Sequence, residues 1–493
     1  MNKTLKKITL SISIILLIHL SINAQNEIDA LRFSELDWQG SARFMGAGKA
    51  FSAVGAEFSA LNVNPAAIGL YKKSEVTFTP MTVSVYKNSS EYNGTATPGQ
   101  RVRYNIGNAG IVLAVPGISS TLWKKIQVGF GYNRIANFNN VFSIEGRSKG
   151  SPLGSLFTAE ANYKQLNANN SSAWYDELWA GWWAVLFDTV PGTETSYFTP
   201  LKDVDMFQSS SVVRKGGIDE MILSIGTNYD DMLFLGATIG VPCINFTEDR
   251  MYEEINDKEP DIVFRYYKMT DKLTVRSSGI NLKLGIIYQP LDFLRLGLAF
   301  HTPTYYGNVK DNFDRKLYSA TKYESLDMLP NDYLNYPNKF KYSLTTPLRA
   351  TASVAFFIKQ RAFISAEYEF ADYSMATMYA TDYNFSEENR TIQKMYGFSH
   401  IARIGAEVNI NQLFAIRAGY NYISSPYKDE INDGSKHYAS FGFGFRTNHF
   451  YGDFAYAFTT SKEKYWMLDP AFINAVNHKF ITHRIVMTMG VRF

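Results

Sequence analysis

The sequence predicts an all-β protein: a transmembrane antiparallel β-barrel of about 14 strands, with an N-terminal hatch segment inside its lumen. Three observations carry this. From residue 73 onward, apolar and polar residues alternate in segment after segment, the mark of strands with one face in an apolar medium. Short connections between these segments alternate with long ones, as in barrels with turns on one side of a membrane and loops on the other. The composition suits a lipid-facing surface: 15% of the 493 residues are aromatic and 19% are charged, against roughly 25% charged in soluble domains.

Other classes are excluded by the same arithmetic. Beyond the N-terminus no stretch approaches the roughly 20 apolar residues of a membrane helix. The single cysteine, Cys243, rules out an intramolecular disulfide and a cysteine-based zinc site. A formal net charge of +3 gives no basic surplus of the kind that announces nucleic acid.

Residues 1–24 read as a signal peptide. Lys3, Lys6 and Lys7 precede an apolar run from Ile8 to Leu20, and Ala24 precedes Gln25, where a peptidase could cut. An exported chain is expected, and its bacterial destination is the outer membrane of a Gram-negative cell.

Residues 25–72 do not alternate and form the expected hatch. The stretch from Gly40 to Ala56 is rich in Gly, Ala and Ser and leads to Asn64-Pro65-Ala66; small residues let backbones approach closely, as a plug in a narrow lumen requires. Gly46-Ala47-Gly48-Lys49-Ala50 is not a phosphate loop, because Arg43 and Ala50 stand where that motif needs Gly and Ser/Thr, and no strand precedes it.

Residues 73–493 form the barrel. Strands are expected near 74–86, 104–116, 125–146, 217–229, 232–246, 273–288, 293–303, 342–358, 363–375, 399–410, 412–424, 437–447, 448–460 and 479–493. The last is the cleanest: His483, Ile485, Met487, Met489, Val491 and Phe493 share one face, Arg484, Thr488 and Arg492 the other. Tight turns fall at 229–231, 289–292, 359–361, 411 and 447–448. Long extracellular loops are expected near 87–103, 147–216, 247–272, 304–341, 376–398, 425–436 and 461–478. In the third strand, Asn137, Asn139 and Asn140 break the alternation, which predicts a bulge or kink unless the strand has already left the bilayer there. In the loop 147–216, Trp174, Trp179, Trp182 and Trp183 lie close together; they fit either an outer hydrophobic capture groove or a loop core packed on itself.

The alternation turns Lys283, Arg295, Arg349, Glu367, Glu369, Arg403, Glu407, Arg417, Arg446, Asp453 and Arg484 toward the lumen. Both signs are present, so cross-strand pairing is expected, with Arg417 and Lys283 as candidate contacts for a ligand carboxylate.

The small-residue segment 40–56, the Asn64-Pro65-Ala66 triplet and the immediate run into Ser74-Glu75-Val76-Thr77-Phe78 resemble the FadL/TodX family of outer-membrane transporters for hydrophobic compounds, over nearly the whole mature chain. The resemblance implies a fourteen-stranded barrel whose hatch is gated at Asn64, Pro65, Ala66, Gly46, Gly48 and Phe51. It also implies release of ligand sideways, through a gap at the kinked third strand, here Asn137, Asn139 and Asn140. Lateral release suits an apolar cargo, which stays out of water by passing directly into the bilayer.

The expected function is passive uptake of hydrophobic small molecules such as long-chain fatty acids. The alternative is an outer-membrane component that binds protein cargo in secretion or assembly through its extracellular loops. A haem receptor rests only on scattered histidines and tyrosines. No enzyme is expected, since the histidines show no metal-ligand spacing such as His-Glu-x-x-His; catalytic residues, metal and cofactors are expected to be none. The expected partners are a hydrophobic ligand and outer-membrane lipid around a monomeric barrel, with no nucleic acid. No TonB-type box is read between Gln25 and Asp37, so diffusion down a gradient is expected.

Overall fold

Alternating segments place every second side chain on one face, and a sheet in lipid must close to satisfy its backbone. The computed structural model, which describes residues 27–116, 122–170, 176–328, 339–359, 361–429 and 432–493, shows that closure. The expected signal peptide and Trp174 lie outside the described residues. The strands are β1 (Glu75–Tyr92), β2 (Thr95–Asn105 and Asn108–Pro116), β3 (Trp123–Asn137 and Asn140–Lys149), β4 (Asp205–Tyr229), β5 (Leu233–Ile255), β6 (Phe264–Leu291) and β7 (Leu294–His301 and Tyr305–Thr321). They continue with β8 (Lys339–Thr345 and Arg349–Ile358), β9 (Ala362–Asp372 and Thr377–Tyr379), β10 (Phe398–Asn409), β11 (Phe414–Ile423), β12 (Lys436–Arg446), β13 (Phe450–Tyr465) and β14 (Val476–Arg492). Each neighbouring pair is antiparallel, and β1 pairs with β14 from Glu75 opposite Arg492 to Glu91 opposite Asn477, closing a fourteen-stranded cylinder.

All fourteen expected strands are present, most of them longer at the extracellular end. One expected loop is not a loop. Residues 87–103 are strand, because β1 and β2 run on to a two-residue turn at Asn93-Gly94, both with positive φ. Asn-Gly favours the hairpin turn whose twist matches its strands, so this signal was readable and overrides the polar composition around it.

The outward side chains form a continuous apolar belt. Leu298 is 63% exposed, and Leu223, Ile286, Phe356, Phe443 and Met489 also face outward, while inward neighbours such as Ser224 and Thr488 are buried. No described helix is long and apolar enough to cross a membrane. A closed barrel with such a belt resides in a bacterial outer membrane.

The lumen is filled. Helix α1 (Glu27–Ser34), helix α2 (Ala42–Gly46) and two 3₁₀ turns, Phe58–Asn62 and Pro65–Leu70, pack into a core with inward residues of the wall such as Phe246, Ile287 and Tyr342. A second apolar core caps the extracellular mouth. There α3 (Pro152–Tyr163) and α4 (Asp176–Trp183), from the β3–β4 connection, lie on Tyr252, Tyr267 and Met269.

Candidate functional site

Local capping chemistry shapes the hatch. The Ser41 side chain accepts from Phe44 N–H at the start of α2, and Glu57 accepts from Ser59 N–H at the first 3₁₀ turn. Asn64 caps the second by accepting from Ala66 N–H at 3.0 Å, while Pro65 occupies the first helical position, where a missing N–H costs nothing. The Asn64 amide also donates to Ser52 O at 3.0 Å, tying two hatch segments together, and to Ile286 O on β6 at 3.4 Å.

Small residues on both sides set how closely the hatch meets the wall. Gly46 lies against Gly442 and Ala455, Gly48 against Ile404 and Gly419, and the Pro65-Ala66 peptide against Gly236 and Gly285. Phe51 is fully buried and meets Phe363 edge-on at 5.5 Å. On the outer face behind Pro65, the glycine-rich stretch of β4–β7 leaves an apolar concavity of about 760 Å³ between Ile225, Leu284, Ile286 and Phe300.

The inward charges are the socket that holds this plug. Arg43 donates twice to Glu407 at 2.8 Å, and Ser52 gives both its N–H and its hydroxyl to Glu367, at 2.7 and 2.8 Å. Arg295 donates to Val54 O at 2.7 Å, and Arg349 donates to Ser34 O at 2.6 Å. Asp37 takes Lys49 at 2.6 Å and Arg484 at 3.1 Å. Burial works against the Asp37 carboxylate, yet these two cations hold its pKa well below the usual range; burial also brings Lys49 down to about 8 against the pull of Asp37.

The two candidate carboxylate contacts, Arg417 and Lys283, both lie in ion pairs within the wall. Arg417 lies between Glu407 at 2.5 Å and Asp453 at 2.7 Å, and Lys283 is bonded to Glu220, which also accepts from Asn62 at 2.9 Å. Both cations are spent internally, because removing a charge from water is tolerable only when it is paired.

The expected kink is where the backbone ladder of the sheet is interrupted. The β2–β3 ladder runs from Pro116 opposite Lys125 to Asn108 opposite Asn133 and ends with one further bond, Arg134 N–H to Gly107 O at 3.1 Å. Among the described residues, 95–105 pairs only with β1 and 140–149 only with β4. Asn137 accepts from the backbone and the side-chain amide of Asn139, at 3.0 and 2.7 Å, turning the chain inward. Phe138 then meets Phe33 of α1 at 5.8 Å and Phe246 at 5.4 Å, and the Asn88 amide of β1 bonds Val141 O. Gly216, opposite on β4, has φ +105, and a side chain there would collide with Asn245 O.

A hatch segment that the sequence did not single out covers this interruption from inside. Asp37 N–H donates to Ile135 O at 2.9 Å and Gln39 N–H to Arg134 O at 3.0 Å, while Asn105 of β2 donates to the Gln39 side chain at 3.1 Å. The Asn64-Pro65-Ala66 triplet is elsewhere, against β5 and β6. The only sequence signal for 37–39 was its place just before the small-residue stretch.

The described tryptophans of the loop 147–216 pack against the extracellular cap. Trp179, Trp182 and Trp183 are half-buried against the extracellular cap's own core. Among the described residues, no group of three or more His, Cys, Asp or Glu is placed to hold a metal ion.

No protein-family model and no curated protein matches the chain. Solved structures do. A Pseudomonas aeruginosa FadL homologue aligns over 93% of this chain and 98% of its own at 13% identity, with a TM-score of 0.51. The Pseudomonas putida toluene transporter TodX aligns over 93% and 99% at 11% identity, TM-score 0.51. A TodX monoaromatic hydrocarbon channel lacking S2 aligns over 92% and 98% at 11% identity, TM-score 0.54. At these identities the likeness is one of architecture: the chain has the fold of the FadL/TodX outer-membrane transporters.

Proposed function

We propose that this barrel takes up hydrophobic small molecules across the outer membrane by diffusion, acting as a single barrel and as a channel rather than an enzyme. Long-chain fatty acids are the first ligand class to test; the FadL homologue and the TodX toluene transporter that share its fold frame the choice between acyl chains and aromatic hydrocarbons. Ligand leaves sideways where 95–105 and 140–149 share no ladder, when the hatch segment 37–39 withdraws and the two segments part. A signal peptide at 1–24 delivers the chain. The observation that carries the reading is that the β2–β3 ladder ends where Asp37 and Gln39 bond Ile135 and Arg134. With the lumen filled as it is, some part of the hatch must move for anything to pass.

The protein-cargo reading gains nothing from the extracellular cap, whose described tryptophans turn onto its own core. The test is a disulfide between Gln39→Cys and Asn105→Cys, in a Cys243→Ser background, scored by uptake of labelled oleate and labelled toluene. Uptake of one ligand that stops on oxidation and returns on reduction supports hatch-gated lateral release. Equal uptake in the oxidised and reduced states sinks it. Uptake that collapses with the inner-membrane proton gradient, while intracellular trapping continues, sinks the passive mechanism.

A further inference from the structure

Three tyrosine–histidine pairs repeat on the outer face of the barrel. Tyr368 on β9 meets His400 on β10 with its hydroxyl 2.6 Å from Nδ1; Tyr420 and His437 do so at 2.7 Å on β11 and β12, and Tyr456 and His483 at 2.6 Å on β13 and β14. The registers are the same. Each tyrosine lies six residues into its strand, counted from Ala362, Phe414 or Phe450. Each histidine lies ten residues before the periplasmic tip of its strand, marked by Ile410, Thr447 and Phe493. Each is opposite an aromatic residue: Phe370, Tyr422 and Phe458.

Ten residues at about 3.4 Å each, tilted by roughly 40°, rise about 26 Å, close to the roughly 25 Å height of a barrel's apolar band. The three pairs therefore stand at one level, the extracellular boundary of the belt. A phenol is a better donor than imidazole, so Nδ1 accepts from it and the proton sits on Nε2. Each ring is fixed with an N–H free to meet a headgroup acceptor.

Just above His483 lysines predominate, with Glu91 on β1 level with Lys464. Lys462 on β13 is directly opposite Lys479 on β14, and the next outward position on β13 is Lys464. Lys87 on β1 is paired in register with Ile481. All four lysines are exposed, and none is in an ion pair among the described residues. Like charges directly opposite on neighbouring strands are destabilising unless an anion lies between them.

We propose that the outer face of β13, β14 and β1 is a seat for a phosphorylated lipid of the extracellular leaflet. Its phosphates are held by Lys87, Lys462, Lys464, Lys479 and the Nε2–H of His483, and its acyl chains lie along Ile485, Met487 and Met489. The pairs on β9–β10 and β11–β12 hold the barrel at the same depth. The inference is independent of what the lumen transports.

The test is native mass spectrometry of the full barrel in detergent, with diphosphorylated lipid A and its dephosphorylated form as probes. The wild type should retain the phosphorylated probe about tenfold better, as charge-assisted hydrogen bonds to phosphate require. Lys462→Gln with Lys479→Gln should bring the two probes near parity. His483→Phe, which keeps the ring, should lower the preference about threefold. Heat-modifiable migration on a gel confirms that each variant is folded; the lysine sites are exposed, so that variant remains informative if His483→Phe misfolds. Equal retention of the two probes by the wild type, an unchanged preference in the lysine variant, or displacement of the lipid by excess inorganic phosphate would each overturn the proposal.

Discussion

Gln39 and Arg134 are joined backbone to backbone, the Gln39 N–H donating to the Arg134 carbonyl at 3.0 Å. One residue is in the hatch and the other in the wall, at the place where β3 makes its last bond to β2, from Arg134 N–H to Gly107 O. The hatch thus completes the hydrogen bonding of a strand that its own sheet leaves open. Plug position and wall integrity become one variable.

Gln39→Pro removes that N–H. The expected cost is about 1 kcal/mol of local closure, or roughly fivefold faster opening. Hydrogen exchange should quicken at 133–137 and leave β10–β13 unchanged. Unaltered exchange at 133–137 would show that the hatch does not brace the strand.

Lys283→Met strands Glu220 in the lumen with, among the described residues, Asn62 and Asn281 to bond it. Breaking a buried pair costs about 3–5 kcal/mol, whereas replacing both partners is often nearly neutral. Lys283→Met alone should therefore lower the unfolding midpoint in urea, and Lys283→Met with Glu220→Leu should recover most of the loss. A double variant no better than the single one would contradict the pairing.

Gly285→Val places a side chain where Asn64 and the Ala66 N–H lie. Overpacking of this kind costs about 1–3 kcal/mol. Because β6 is held on both edges, the displacement should fall on the hatch, measured as faster proteolysis between residues 56 and 72 with the barrel intact. Cleavage at the wild-type rate would show that the triplet has room to spare.

Asp29 on α1 is buried, which raises its carboxyl to about 6 although Arg32 beside it pulls the other way. An undocked α1 would titrate near the ordinary 3.8. Between these values the docked helix binds a proton that the undocked one does not, so docking strengthens as pH falls from about 6 to 4. The full effect is at most about 3 kcal/mol. Exchange of amides 27–34, corrected for intrinsic rates, should slow across that window, and Asp29→Asn should remove Asp29's share of the change and dock the helix better at pH 7. A wild-type profile that Asp29→Asn leaves unaltered would place the proton elsewhere.

The chain's alternation determined the strands by itself, because the side a residue faces depends only on its parity along an extended backbone. That is why β14 could be read residue by residue from Ile481 to Phe493, and why Arg349, Glu369, Arg403 and Glu407 were correctly turned inward. The asparagines at 137–140 marked the kink for the same local reason: their side chains compete with the ladder for backbone groups. The Asn93-Gly94 turn was equally local and was obscured only by the polar residues flanking it.

What those inward charges meet is not local. Arg43 and Glu407 are 364 positions apart, Ser52 and Glu367 315, so no spacing rule connects them. Closure of the barrel brings these residues together, and once a small-residue plug occupies the lumen each buried charge must find a partner, on the plug or across the wall. Arg417 and Lys283 therefore looked free along the chain and are committed in the fold. Parity decided which side chains enter the lumen; only the closed, plugged cylinder decided which of them hold the hatch and which pair across the wall.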